Sequence, residues 1–261
     1  MRHSRFGPRT GARIAALALL ATAGGLCLST ASATVEPGTP AKDVHIGLDD
    51  DNADNPFIQP AGVSKAQHMN NTDVLFGRDN DDLLIGRLGG DTLLGGPDAD
   101  ILVGGPDLGH RKSNDVLVGD EGNDITIWSP GDGNDAVVGN DGYDTMVFGP
   151  LALDRHGSPR LTSYHGRQVP HVRVDGYPRL SCTLTRFPAA PQPGFQYLVR
   201  LSLDDVQTAS VREKDIERVL CPGPRPGTVR VAIPHGAHPH FHTRSLSSLR
   251  GVVGAITEPA G

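Results

Sequence analysis

The chain has 261 residues, with 30 Asp and Glu against 24 Lys and Arg and a formal net charge of −6. Its 33 Gly and 21 Pro make about a fifth of the residues, short of the roughly 25–30% that marks full disorder. Aromatic residues at 5% leave little material for a large conventional core, and no apolar run is long enough to span a bilayer in the mature chain.

Residues 1–33 read as an export signal. Arg2, Arg5, Arg9 and Arg13 form a basic start without an acid, Ile14 to Leu28 is apolar, and Ala31-Ser32-Ala33 supplies small residues for cleavage. Secretion to the extracellular space is therefore expected. Residues 34–69 form an acidic leader with six acids and two bases. Its run Asp49-Asp50-Asp51-Asn52-Ala53-Asp54-Asn55 lacks the glycine and distal Glu of an EF-hand, so a solvated linker or an N-terminal cap is expected.

Residues 70–149 carry 16 acids and four bases and hold an internal repeat. Asp73, Asp82, Asp91, Asp100, Asp115, Asp124, Asp135 and Asp144 follow one another at spacings of 9, 9, 9, 15, 9, 11 and 9. Two residues after each stands Leu75, Leu84, Leu93, Leu102, Leu117, Thr126, Val137 or Met146. Glycine precedes the aspartates at Gly77, Gly86, Gly95, Gly104, Gly119 and Gly139. Glycine followed by Asp permits tight turns with positive φ that point backbone carbonyls inward. The three residues after each Asp are β-prone, and alternation requires only the central one to face a core. A single unit buries too little alone, so the units must stack.

The best-formed units, Gly119-Asp120-Glu121-Gly122-Asn123-Asp124, Gly131-Asp132-Gly133-Asn134-Asp135 and Gly139-Asn140-Asp141-Gly142-Tyr143-Asp144, resemble the nonapeptide of the repeats-in-toxin (RTX, hemolysin-type) calcium-binding family. Gly95-Gly96-Pro97-Asp98-Ala99-Asp100 fits except at its fourth position. The resemblance implies a right-handed parallel β-roll with two units per turn and several Ca²⁺ ions in the turns. The implied ligands are the eight aspartates and the carbonyls of Gly77, Gly95, Gly119, Gly122, Gly133, Gly139 and Gly142.

Alternating sides would stack Asp73, Asp91, Asp115 and Asp135 on one edge and Asp82, Asp100, Asp124 and Asp144 on the other, roughly 4.8 Å apart. Carboxylates at that spacing repel by around 1 kcal/mol even in water-like surroundings. A divalent cation taking six to eight oxygens relieves this. Both insertions, at Leu108 to Ser113 and near Trp128-Ser129, fall on the first edge, so the second is expected to hold the better calcium sites. Arg78, Arg87, Asn80 and Asp98 replace glycines, which makes the first two units caps.

Residues 150–221 read as a small β-rich appendage. Phe195 to Leu203 alternates as a strand, Val169 to Val174 is a second candidate, and Ser210 to Leu220 fits a short helix or a strand pair. Cys182 and Cys221 are the two cysteines left after signal removal, an even pair expected to form a disulfide. From Pro222 to Gly261 Pro, Gly and His dominate and little regular structure is expected. His238, His240 and His242 would share a strand face beside His235, a pattern suited to Zn²⁺ or Cu²⁺, although Pro239 and the lack of nearby Cys favour an incidental His-rich tail.

The chain has no His-Glu-x-x-His helix and no Gly-x-Ser-x-Gly elbow, so no catalytic residue is assigned. The expectation is a secreted calcium-binding protein whose repeats fold on Ca²⁺ and act as an extracellular structural or adhesive scaffold, contacting a cell-surface or matrix component. The acidic middle excludes nucleic acid as a partner. Two other readings stay open: a hydrolase with its site after residue 150, and metal scavenging by the His tail.

Overall fold

The computed structural model describes residues 35–36, 38, 42, 44–46, 73–87, 89–105, 114–155, 159–187, 194–236 and 239–257. The export signal, the acidic run at 49–55 and the insertion at 108–113 lie outside the described residues.

The repeats wind as a parallel β-solenoid. Its strands are β1 (Val35–Glu36), β2 (Val44–Ile46), β3 (Val74–Phe76), β4 (Leu83–Ile85), β5 (Thr92–Pro97), β6 (Ile101–Val103), β7 (Val116–Gly122), β8 (Ile125–Trp128), β9 (Ala136–Gly142) and β10 (Thr145–Phe148). The odd strands pair in the order β1-β3-β5-β7-β9 and the even strands as β2-β4-β6-β8-β10, all parallel. Two units therefore complete one turn. The register aligns Leu75, Leu93, Leu117 and Val137 in one sheet and Leu84, Leu102, Thr126 and Met146 in the other. All eight are buried between the sheets, as stacking demands.

After Phe148 the chain forms a hairpin of β11 (Leu161–Tyr164) and β12 (Arg167–Pro170), followed by β13 (Leu180–Arg186), β14 (Tyr197–Leu203) and β15 (Val206–Lys214). Then come β16 (Arg218–Pro222), β17 (Thr228–Ala232), β18 (His242–Ser245), a 3-10 turn at Leu246–Ser248 and α1 (Gly251–Ile256). β15 adds in parallel to β9, and β16 in parallel to β10, so the chain returns to lay one further strand pair on the roll. From there both sheets turn antiparallel, through β14 and β13 on one side and β17 and β18 on the other. The roll interior continues into this region through Val199, Leu201, Val211, Ile216 and Val219. Cys182 on β13 and Cys221 on β16 lie at disulfide distance across the two sheets, with Cα atoms 6.5 Å apart.

Only one face of each strand was expected to be buried. The even sheet departs from this: Leu83, Ile85, Ile101, Val103, Ile125, Ile127 and Val147 on its outer face are buried as well. Val169, Val172, Val174, Leu246, Val253 and Ile256 cover them. A parallel sheet covered on both faces carries continuous apolar triplets, as Leu83-Leu84-Ile85 and Ile101-Leu102-Val103 do. On the odd sheet Val74, Phe76, Leu94, Val116, Val118 and Val138 stay half-buried.

The same second core explains why residues after Pro222 are regular despite their composition. Val229, Leu246, Val253 and Ile256 each bury a side chain there, worth about 1.5–3 kcal/mol apiece. The six-residue α1 has no side-chain cap at Arg250, so this packing, and not local propensity, holds it. Among the described residues no helix is long and apolar enough to cross a membrane.

Candidate metal site

Each turn is made by backbone that favours glycine or a small polar residue. Positive φ occurs at Arg78 (80°), Arg87 (74°), Asp120 (88°) and Asn140 (74°) directly after the leading glycine, and at Asn80 (78°) and Asp98 (79°) at the fourth position. The substituted residues thus keep the turn geometry, at the steric cost that left-handed backbone carries for an L-residue.

The aspartates form two ladders, sorted as the alternation predicted. The Asp73 N–H donates to Asp91 Oδ1 at 2.8 Å, that of Asp91 to Asp115 at 2.8 Å and that of Asp115 to Asp135 at 2.9 Å. On the other edge the N–H groups of Asp82, Asp100 and Asp124 donate to Asp100, Asp124 and Asp144 at 2.7, 2.8 and 2.8 Å. The position before each Asp runs a second ladder in the opposite direction: Tyr143 N–H to Asn123 Oδ1, Asn134 N–H to Asn114 Oδ1 and Ala99 N–H to Asp81 Oδ1. Every carboxylate of the inner ladders is buried, at most 2% exposed.

The other carboxylate oxygen is the chemically unusual one. Oδ2 of Asp100, Asp115, Asp124 and Asp144 is buried without a hydrogen-bond partner. These oxygens crowd the leading glycines together with carbonyls of the next turn. A Cβ on Gly77 would stand 2.6 Å from both Asp82 Oδ2 and the Gly95 carbonyl, and one on Gly86 would stand 2.5 Å from Asp91 Oδ2 and 2.6 Å from the Gly104 carbonyl. Gly95 meets Asp100 Oδ2 and the Gly119 carbonyl, and Gly139 meets Asp144 Oδ2 and the Asp215 carbonyl. Only glycine leaves this cradle open. Among the described residues no three His, Cys, Asp or Glu side chains converge as a metal-holding group, so a cation in the cradle would need these carbonyls as ligands. Hard oxygen donors in that mixture suit Ca²⁺ and not a transition metal.

Burial, the largest influence, and the acids above and below push Asp100 up to about 9 and Asp144 up to about 7. Asp124, desolvated and beside Asp120, is raised to about 7. Burial followed by Asp135, Asp91 and Asp132 holds Asp115 well above the ordinary carboxylate range. Without a cation the ladders are electrostatically frustrated.

Of the carbonyls expected as ligands, those of Gly95 and Gly119 face the Oδ2 column, that of Gly77 abuts Gly38 and that of Gly122 abuts Gly142. The Gly104 and Asp215 carbonyls join the column although the repeat pattern did not single them out. Three further residues were missed. Glu217 takes the place of the next aspartate: its Oε2 accepts the Asp144 N–H at 2.7 Å. Arg167, from the hairpin, is buried and donates from Nη2 to the Asp82 carbonyl at 3.1 Å. Gly38 stands against the Gly77 carbonyl between β1 and β2, so part of the leader acts as the N-terminal turn of the solenoid. The signal for it was present: Gly38 precedes Asp43 by five residues, as Gly77 precedes Asp82.

Among the described residues the histidines form no comparable centre. His240 and His242 lie with ring centroids 4.3 Å apart, His235 packs edge-on to Tyr197, and His238 lies outside the described residues. No family model, curated protein or solved structure matches the chain. The fold and site define a parallel β-solenoid with two buried aspartate ladders, compatible with a β-roll.

Proposed function

We propose that this chain is a secreted calcium-binding protein of the repeats-in-toxin type, whose roll folds on binding several Ca²⁺ ions and serves as an extracellular structural or adhesive scaffold. The observation that carries the reading is the set of buried Oδ2 atoms of Asp100, Asp115, Asp124 and Asp144, without hydrogen-bond partners and next to glycines that no side chain can replace. A buried unpaired carboxylate costs several kcal/mol unless a proton or a cation satisfies it. Ca²⁺ supplies the charge and accepts both carboxylate and carbonyl oxygens. The aspartates would hold it with the Gly95, Gly104, Gly119 and Asp215 carbonyls. Binding to the folded state alone makes folding depend on calcium.

Far-UV circular dichroism of the purified mature chain tests this. The reading predicts a β spectrum in millimolar CaCl₂ that is partly lost in excess EDTA at neutral pH and returns on calcium addition. Equal β content in both buffers would overturn it.

A further inference from the structure

A cavity of about 540 Å³ lies where the ends of the even strands meet the antiparallel extension of the odd sheet. On one side stand Trp128, the last residue of β8, Gly149 directly after β10, and Pro222, the last residue of β16. Across from them lie Tyr177, Leu180 of β13, and Leu201 and Leu203 of β14. The volume falls within the roughly 300–1,000 Å³ of small-molecule sites. None of the aspartates of the two ladders lines it.

Its walls are built in advance. The two-residue insertion near Trp128-Ser129, which breaks the nine-residue period, supplies a turn whose Pro130, Gly131 and Asp132 border the cavity. That turn is pinned: the Ser129 N–H donates to Asp132 Oδ2 at 2.8 Å, and Ser129 Oγ donates to the Gly149 carbonyl at 3.2 Å. Trp128 packs at a tilt on Phe148, with ring centroids 5.6 Å apart, which fixes the indole. Arg230 Nη1 donates to the carbonyls of both Leu180, at 2.9 Å, and Pro222, and so ties the two sides together. The pairing of β14 with β15 shifts register between Leu201 and Ser202, and an irregularity of this kind re-aims side chains beside it. Pro130, Pro150 and Pro222 add backbone with fixed φ.

The lining is uncharged toward an occupant. Among the described residues it contains no Lys, Arg or Glu, and its one acid, Asp132, is 2% exposed and engaged in its own turn. Trp128 is 5% exposed with its Nε1 buried, so the indole offers carbon to the cavity. Burial raises Tyr177 above the ordinary phenol range, which keeps it neutral. A charged ligand would lose its hydration there and find no counter-charge. A flat apolar ring would stack on the two aromatic side chains and fill the space between the leucines and prolines. We propose that this cavity binds a small, uncharged, ring-containing apolar molecule. The site is separate from the calcium reading and does not depend on it.

The test uses the neutral fluorescent probe N-phenyl-1-naphthylamine on the full mature chain in millimolar CaCl₂. Trp128 is the only tryptophan of the chain, so its emission reports on the cavity wall. Titration should give saturable one-to-one binding, with quenching of Trp128 and a rise in probe emission following the same curve. L203E puts a charge on a lining residue that is 45% exposed and should weaken binding about tenfold or more. V206E puts the same charge on the 67% exposed tip of that hairpin, outside the lining, and should bind as wild type does. Should L203E lose the wild-type β spectrum, Q207F decides: it adds a ring at an exposed lining position and should exclude the probe to a similar extent. 2-Naphthol should displace the probe at lower concentration than decanoate. Unsaturable binding, equal losses in L203E and V206E, unaltered binding by Q207F, or displacement by decanoate as good as by 2-naphthol would overturn the proposal.

Discussion

Acidifying the metal-free protein should stabilise it, and the size of the effect follows from the buried ladder. Asp124 and Asp144 titrate at about 7 and Asp100 at about 9 in the folded chain, against roughly 3.9 in an unfolded one. The folded state therefore holds more protons than the unfolded state between these limits. Stability from these groups is fully present below about pH 4 and is lost as pH rises through 7 to 9. Each unit of displacement is about 1.4 kcal/mol, so a carboxylate moved by about three units costs about 4 kcal/mol at neutral pH.

Three such groups would consume a stability that in typical domains totals about 5–15 kcal/mol. Even after generous relaxation, the metal-free roll should be marginal at pH 7.5 and firmer at pH 5. Thermal melts in EDTA across pH 5 to 8.5 should show a falling midpoint. Calcium competes with protons for the same oxygens and should remove or invert that slope. A metal-free midpoint that is flat or rises over this range would refute the electrostatic reasoning.

Other outcomes follow from the same geometry. D124N keeps the acceptor for the Asp100 N–H and replaces the unpartnered oxygen by a donor. It should raise metal-free stability by about 1–3 kcal/mol, read by urea melts, while weakening calcium affinity at least tenfold in calorimetric titration. G86A places a methyl against Asp91 Oδ2 and the Gly104 carbonyl; overpacking of this kind costs about 1–3 kcal/mol, and a melt in calcium should show the loss. E217A leaves the Asp144 N–H without its acceptor, at a cost of about 1–3 kcal/mol. E217Q should recover most of that loss in the same melt. Reduction of the Cys182–Cys221 pair, 39 residues apart, should destabilise by roughly 3–4 kcal/mol without abolishing the calcium-dependent β signal.

The repeating part of the fold was legible because five of the seven spacings between successive aspartates are nine residues. Asp, the inward Leu or Val two residues on and the preceding glycine all occupy the places that alternation assigns. Glu217 and its turn were hidden because the chain completes that turn with only Asp215-Ile216-Glu217, where Gly139 to Asp144 uses six residues, so the nine-residue spacing disappears. Gly38 was hidden for another reason: a single degenerate unit, separated from the next by a long acidic stretch, shows no period. The outer core was written in the sequence as apolar triplets such as Ile101-Leu102-Val103. Their covering partners, Val169 to Val174 and Val253-Ile256, lie too far along the chain for spacing to connect them. Arg167 shows the same limit, since only the hairpin's return to the even sheet brings it to Asp82.

The most direct test of the central claim is a crystal structure of the mature chain grown in calcium, with anomalous data locating the ions. Calcium peaks between successive turns, bound by aspartate Oδ2 atoms and glycine carbonyls along the two ladders, are the expected result. Ladders that refine with no ion, their carboxylates satisfied by shared protons alone, would contradict it.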